Sequence, residues 1–184
     1  EWVDYLLAEK PDQQVLFERL ATPNPKPVLS LPAPTAATRA VKIRQPEVSW
    51  DQLILPTPVI SQLQTLCQQA SAGLLTRTQV GHTALLVGAK GTGKTMAAGA
   101  IATSLRRPLC ELDLEQIHPD DAFSVLLALD AVRYPVLLIK SAFVWFGRNA
   151  DLPAAALRQW LQQRRNAPSL TLFSVRYLHT IRSS

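Results

Sequence analysis

Residues 88–95 read Gly-Ala-Lys-Gly-Thr-Gly-Lys-Thr and satisfy G-x-x-x-x-G-K-[ST] at every position. An apolar run, Thr83-Ala84-Leu85-Leu86-Val87, precedes them and suits a buried strand; Met96 to Ala102 follows as a helical segment. A strand, a glycine-rich turn and a helix N-terminus in that order make a phosphate cradle. Glycines let the backbone wrap closely enough for several amide N–H groups to converge on one anion. The candidate binding residues are therefore Gly88, Ala89, Lys90, Gly91, Thr92, Gly93, Lys94, Thr95 and Met96. Lys94 is placed to reach the β- and γ-phosphates of a nucleoside triphosphate, and the Thr95 hydroxyl is the candidate Mg²⁺ ligand.

The rest of the chain limits what surrounds this loop. With 184 residues, 47% of them apolar, it can build one α/β domain and some appendages. No apolar run is long enough to span a bilayer, and the N-terminus is not signal-like. Cys67 and Cys110 lie far apart with no metal-ligand spacing, so they read as reduced core thiols in a cytoplasmic protein. An opening Glu1 in place of Met reads as a fragment or a processed chain. The net charge of +5 suits a soluble surface, but Arg148, Arg158, Arg164, Arg165, Arg176 and Arg182 crowd the C-terminal third and keep nucleic acid open as a partner.

In chain order, residues 1–22 form a helical arm interrupted at Pro11, with apolar side chains suited to docking on a partner or on its own domain. Residues 23–48 are proline-rich without periodicity and read as an extended linker. The domain proper is expected over 49–184, opening with Ser49 as a cap and a helix through Val59, Ile60, Leu63, Leu66 and Cys67. Further strands are expected at 108–112, 135–139 and 170–175, with helices over 119–132 and 153–164, the latter capped by Asp151. Alternating strands and helices indicate a parallel sheet with helices on both faces, ligands binding at the strands' carboxyl ends.

With these elements placed, residues 49–182 resemble an AAA+ ATPase core of the P-loop NTPase type. Ser49 to Pro56 is similar to the family's opening segment beside the adenine, and Arg107 to Leu114 to its second strand. Ile139 to Arg148, Ile-Lys-Ser-Ala-Phe-Val-Trp-Phe-Gly-Arg, is similar to the D-E-A-D-x-x-F-G-x-R stretch after the third strand, the Walker B segment. The resemblance implies that the first carboxylate there helps hold Mg²⁺ and the second polarises the attacking water. Lys140 and Ser141 occupy those positions, and Phe143 replaces the second Asp. The family's sensor asparagine falls at Val175 or Arg176, depending on the alignment. The likeness stops short of a fifth strand, an arginine finger and the helical lid, which implies a core truncated before the lid.

A lysine cannot ligate Mg²⁺, and a serine is a poor base near neutral pH. The expectation is an ATP- or ADP-binding module with weakened Mg²⁺ binding and no catalytic acid: a pseudo-ATPase acting as a structural or regulatory subunit of a protein complex. Enzyme activity stays open. The alternatives are an ATPase completed by a partner subunit and a nucleic-acid-associated component. Asp113 and Asp130 are the substitute acids to consider, and Lys140 either snorkels to solvent or stands where the metal would be.

Overall fold

Strands form where apolar residues predominate, and two such stretches, Val136–Lys140 and Leu170–Val175, are buried on both faces as parallel strands between helical layers must be. The computed structural model describes residues 40–76, 80–129, 134–147, 150 and 152–177, within the unit Pro34–Ser184. Their strands are β1 (Val41–Arg44), β2 (His82–Val87), β3 (Leu109–Asp113), β4 (Val136–Lys140) and β5 (Leu170–Val175), in the spatial order β1-β3-β4-β5-β2. β3, β4, β5 and β2 pair in parallel; β1 pairs antiparallel with β3, Val41 opposite Leu112. The sheet is therefore mixed, not purely parallel.

The helices are α1 (Thr57–Thr76), α2 (Lys94–Ser104), α3 (Ala122–Ala128), the single turn α4 (Phe143–Phe146) and α5 (Ala154–Arg165). Alternation along the strands divides the core in two. Val136, Leu138, Leu170 and Leu172 pack with Leu63, Cys67, Ala98 and Ile101 of α1 and α2. Leu137, Ile139 and Phe173 turn the other way, toward Val125, Leu126, Trp145, Leu157 and Trp160 of α3, α4 and α5. Helices thus cover both faces, as the sequence indicated.

Two expectations need correction. The linker read over 23–48 does not reach residue 48: Val41–Arg44 is an edge strand, and Pro46 accepts a hydrogen bond from Thr103 Oγ1 at 2.8 Å while Val48 lies against Gly99. The proline-rich composition hid a four-residue strand with only Val41 buried. Arg164, counted among surface arginines, is 1% exposed; its Nε donates to Thr171 Oγ1 (2.9 Å) and its Nη1 to the Tyr134 carbonyl (2.9 Å), with the guanidinium 5.8 Å from the Trp160 ring. The N-cap of α5 is Pro153, whereas the expected cap Asp151 lies outside the described residues, as do the 1–22 arm, Asp130, Arg148 and Arg182. Among the described residues no helix is long and apolar enough to cross a membrane.

Candidate phosphate-binding site

The loop begins where β2 ends. Gly91 (φ 88°) and Gly93 (φ 84°) take left-handed conformations closed to most side chains, and Gly93 sits at the N-cap of α2. These two turns aim the first amides of α2 back over the loop, at the positive end of the helix dipole. The Lys94 ammonium folds over the loop, donating to the carbonyls of Gly88 (2.5 Å) and Ala89 (2.7 Å). Burial lowers the Lys94 pKa, and the nearby charge of Arg176 lowers it further.

A cavity of about 510 Å³ opens in front of the loop at the carboxyl ends of the strands. Of the sequence-derived candidates, Lys90, Gly91, Gly93, Lys94, Thr95 and Met96 line it, together with Lys140 and Ser141. Gly88 and Thr92 line a second cavity of about 550 Å³ behind the loop, walled by Leu55, Val59, Leu63 and Leu66 and by β2. Ala89 serves through its carbonyl. The first cavity carries four cations, Lys90, Lys94, Lys140 and Arg176, beside the acids Asp113 and Glu115; the second is mainly apolar and large enough for a nucleobase. Of the segment 49–56, only Leu55 reaches that second wall. Trp50 instead donates from Nε1 to Ser104 Oγ at 2.8 Å, tying the segment to the far end of α2.

Lys140 lines the cavity and is paired from within the sheet. It ends β4 opposite Asp113 of β3, and its Nζ reaches across the strand pair to Glu111 Oε2 at 2.5 Å. Glu111, 4% exposed, also receives Arg44 Nε at 3.5 Å on its other oxygen. The lysine charge is thus compensated from within the sheet. Sequence reasoning missed Glu111; the signal was an acid in a short apolar strand, which needs a buried partner. Ser141 follows with φ 55° and turns the chain into α4.

The remaining wall residues are Asp113, Glu115, Phe143, Ser174, Val175 and Arg176. Val175 pairs with Val87 and its carbonyl accepts from Gly88 N–H at 3.1 Å, so Arg176 stands beside the start of the loop. A hard divalent ion wants several oxygen ligands. Here the protein offers Thr95 Oγ1 and the carboxylates of Glu115 and Asp113, the latter's oxygens already accepting from Glu115 N–H (3.3 Å) and Gln116 Nε2 (3.4 Å). Among the described residues no three His, Cys, Asp or Glu side chains gather into a metal-binding group. The donor set fits a polyphosphate far better than a protein-held cation.

Residues 84–173 match the family model described as "ATPase family associated with various cellular activities (AAA)". Solved structures share the fold. The AAA domain of FIGL-1 in complex with ADP aligns with a TM-score of 0.61 at 13% identity, covering 79% of this chain and 54% of that one. A katanin structure described for its self-assembly gives 0.55 at 18%, covering 77% and 51%. A point mutant of RuvB from Thermotoga maritima gives 0.52 at 18%, covering 76% and 45%. The chain spans about half the length of these structures. Among curated proteins none matches the chain in sequence.

Proposed function

Residues 84–173 belong to the AAA family of ATPases, and from that premise we propose that the chain is a nucleotide-binding module that holds ATP or ADP without cleaving it. The observation that carries this reading is the Lys140–Glu111 ion pair at the strand end. A lysine there cannot be recruited as a metal ligand, and the neighbouring Ser141 offers no base. Phosphates would sit against the loop amides, Lys94 and Thr95, with the base between Leu55, Leu63, Leu66 and β2. When bound, Mg²⁺ neutralises phosphate charge; the protein's own contribution to holding it is the Thr95 hydroxyl and acids such as Asp113 that lie off the Walker B positions, so metal binding is weak. Bound nucleotide raises stability by mass action, by about 2.7 kcal/mol at a hundredfold excess over Kd. This makes the module a structural or regulatory subunit, in keeping with its match to a katanin structure described for self-assembly.

The test is a pair of measurements on the purified chain: nucleotide released on denaturation or taken up in titration, and phosphate release with ATP and Mg²⁺. Nucleotide binding lost in Lys94→Ala, with phosphate release no higher than in that variant, is the expected outcome. Steady phosphate release abolished by Lys94→Ala overturns the reading.

One observation favours a second reading. Asp113 shares the cavity wall with Lys94 and Thr95 and is the acid an ATPase completed by a partner subunit would use on the metal side. Asp113→Asn then separates the two: loss of Mg²⁺-dependent ATP binding supports the second reading, and unchanged binding supports the first.

A further inference from the structure

Four cations line the phosphate-side cavity, and they are not equivalent: Lys90 sits within the loop itself, and the other three stand at the start of α2 and on the strand-end walls. Lys140 is neutralised by Glu111. Lys94 rests on loop carbonyls, which a phosphate would replace. Arg176 is exposed, lines the cavity with Thr95 and Ser141, and among the described residues has neither a hydrogen bond nor a carboxylate within ion-pair distance. Its position is fixed by the ladder: Val175 is locked to Val87 in the parallel register, and the next residue must emerge at the mouth of the loop. An uncompensated guanidinium lining the same cavity as an ammonium is unfavourable without an anion between them. The arrangement becomes favourable once a polyanion lies between the two charges.

We propose that Arg176 is the specificity-determining residue of the site, gripping the terminal phosphate so that ATP is preferred over ADP without a metal ion. This rests on the nucleotide-binding reading above and deepens it. The guanidinium presents paired N–H donors whose spacing matches two phosphate oxygens. It stands on the strand-end side of the cavity, with Ser141 and Phe143, away from the apolar cavity that would take the base. A diphosphate is held by the loop amides and Lys94. The third phosphate, extending past the loop toward the strand ends, meets Arg176 where the family would place a metal and its carboxylates. A fixed positive charge thereby takes over the charge compensation of a divalent ion.

The experiment is a titration of the full chain with fluorescent ATP and ADP analogues in excess EDTA and again in Mg²⁺, with unlabelled tripolyphosphate as competitor. Wild-type protein in EDTA should prefer ATP by roughly tenfold or more, the scale of one charge-assisted contact. Arg176→Ala should lose that preference while ADP affinity changes by less than about threefold, and Arg176→Lys should keep part of it. Tripolyphosphate should displace ATP from the wild type and poorly from Arg176→Ala. Because Arg176 is exposed, both variants should melt like the wild type. An equal drop for ATP and ADP, an ATP preference that survives in Arg176→Ala, or a preference that exists only with Mg²⁺ overturns the proposal while leaving nucleotide binding intact. No binding of either nucleotide by folded wild-type protein overturns the nucleotide-binding reading itself, and this proposal with it.

Discussion

Lys140 and Glu111 meet across neighbouring strands, Nζ to Oε2 at 2.5 Å, with the more exposed Arg44 guanidinium on the other oxygen at 3.5 Å. The two contacts are not equal in weight. Arg44 is 62% exposed, so its contribution is screened, whereas Lys140 at 29% and Glu111 at 4% meet largely out of water. Glu111→Gln should therefore destabilise the domain by about 2–3 kcal/mol, since it strands the lysine charge. Adding Lys140→Met to that background should recover part of the loss, because it removes the ammonium that Glu111→Gln leaves uncompensated. Denaturant unfolding of the two single variants and the double variant measures the coupling. Strictly additive effects would show that the two residues do not support one another.

Gly81 illustrates a different constraint. Its N–H donates to the Arg165 carbonyl at 2.7 Å, and a Cβ there would lie 2.0 Å from the Arg164 carbonyl oxygen and 2.8 Å from that of Ala167. These are backbone atoms at the end of α5, which cannot swing aside as a side chain would. Gly81→Ala should lower stability by about 2–4 kcal/mol, in the range of strong overpacking. Because β2 leads directly into the loop, nucleotide affinity should fall with it. A melting temperature within a degree of wild type would show that the end of α5 yields easily.

Much of the domain was legible because its grammar is local. β5 spans the six residues expected, since Leu170 to Val175 is a β-favouring stretch, apolar but for Thr171 and Ser174, between Pro168 and Arg176. The loop, its flanking strand and its helix were legible for the same reason. What was hidden depends on partners distant in sequence. β1 carries one buried residue in four and gains its identity only from pairing with β3. Arg164 reads as solvated charge until α5 lays it over Thr171 and the Tyr134 carbonyl. That Val175 and Arg176 both line the cavity follows from the β2–β5 register, which a sequence does not state.

Arg164 supports a prediction of its own. Its fork joins α5 to β5 and to the chain entering β4, and a lysine has one nitrogen with which to replace the planar guanidinium. Arg164→Lys should leave buried acceptors without donors and destabilise by about 1–3 kcal/mol. Arg158 and Arg165 are exposed on the same helix, so their replacement by Gln should leave stability within about 0.5 kcal/mol. Thermal melts of the three variants check the contrast, and equal losses would remove Arg164 from the core.

The two thiols report on the fold. Both are free and buried; burial raises the Cys67 pKa and pushes that of Cys110 up to about 11. A thiol whose folded pKa lies above its ordinary value of 9.0 binds the more protons in the folded state between those two values. Stability should therefore fall as pH rises from about 9 toward 11, and Cys110→Ala should flatten part of that slope. At pH 8 neither thiol should react with a disulfide reagent until the chain unfolds. Rapid labelling of the native protein at one equivalent or more would show that a thiol is accessible.

Lys94 gives the opposite sign, and it links the loop to Arg176. Its pKa is lowered, first by burial and then by the Arg176 charge, so the empty site releases that proton at a lower pH than the unfolded chain does. Bound phosphate favours the ammonium. Below the Lys94 pKa, ATP affinity should therefore be flat with pH; above it, binding must take up a proton and affinity should fall by up to tenfold per pH unit. In Arg176→Ala one of the two causes of the shift is gone, so the break should move toward the ordinary lysine value of 10.5. Dissociation constants measured from pH 7 to 10.5 at fixed ionic strength in EDTA locate both breaks. A break that stays at the same pH in the two proteins would mean that Arg176 does not sense the charge on Lys94, and the shared grip on the nucleotide would lose its electrostatic basis.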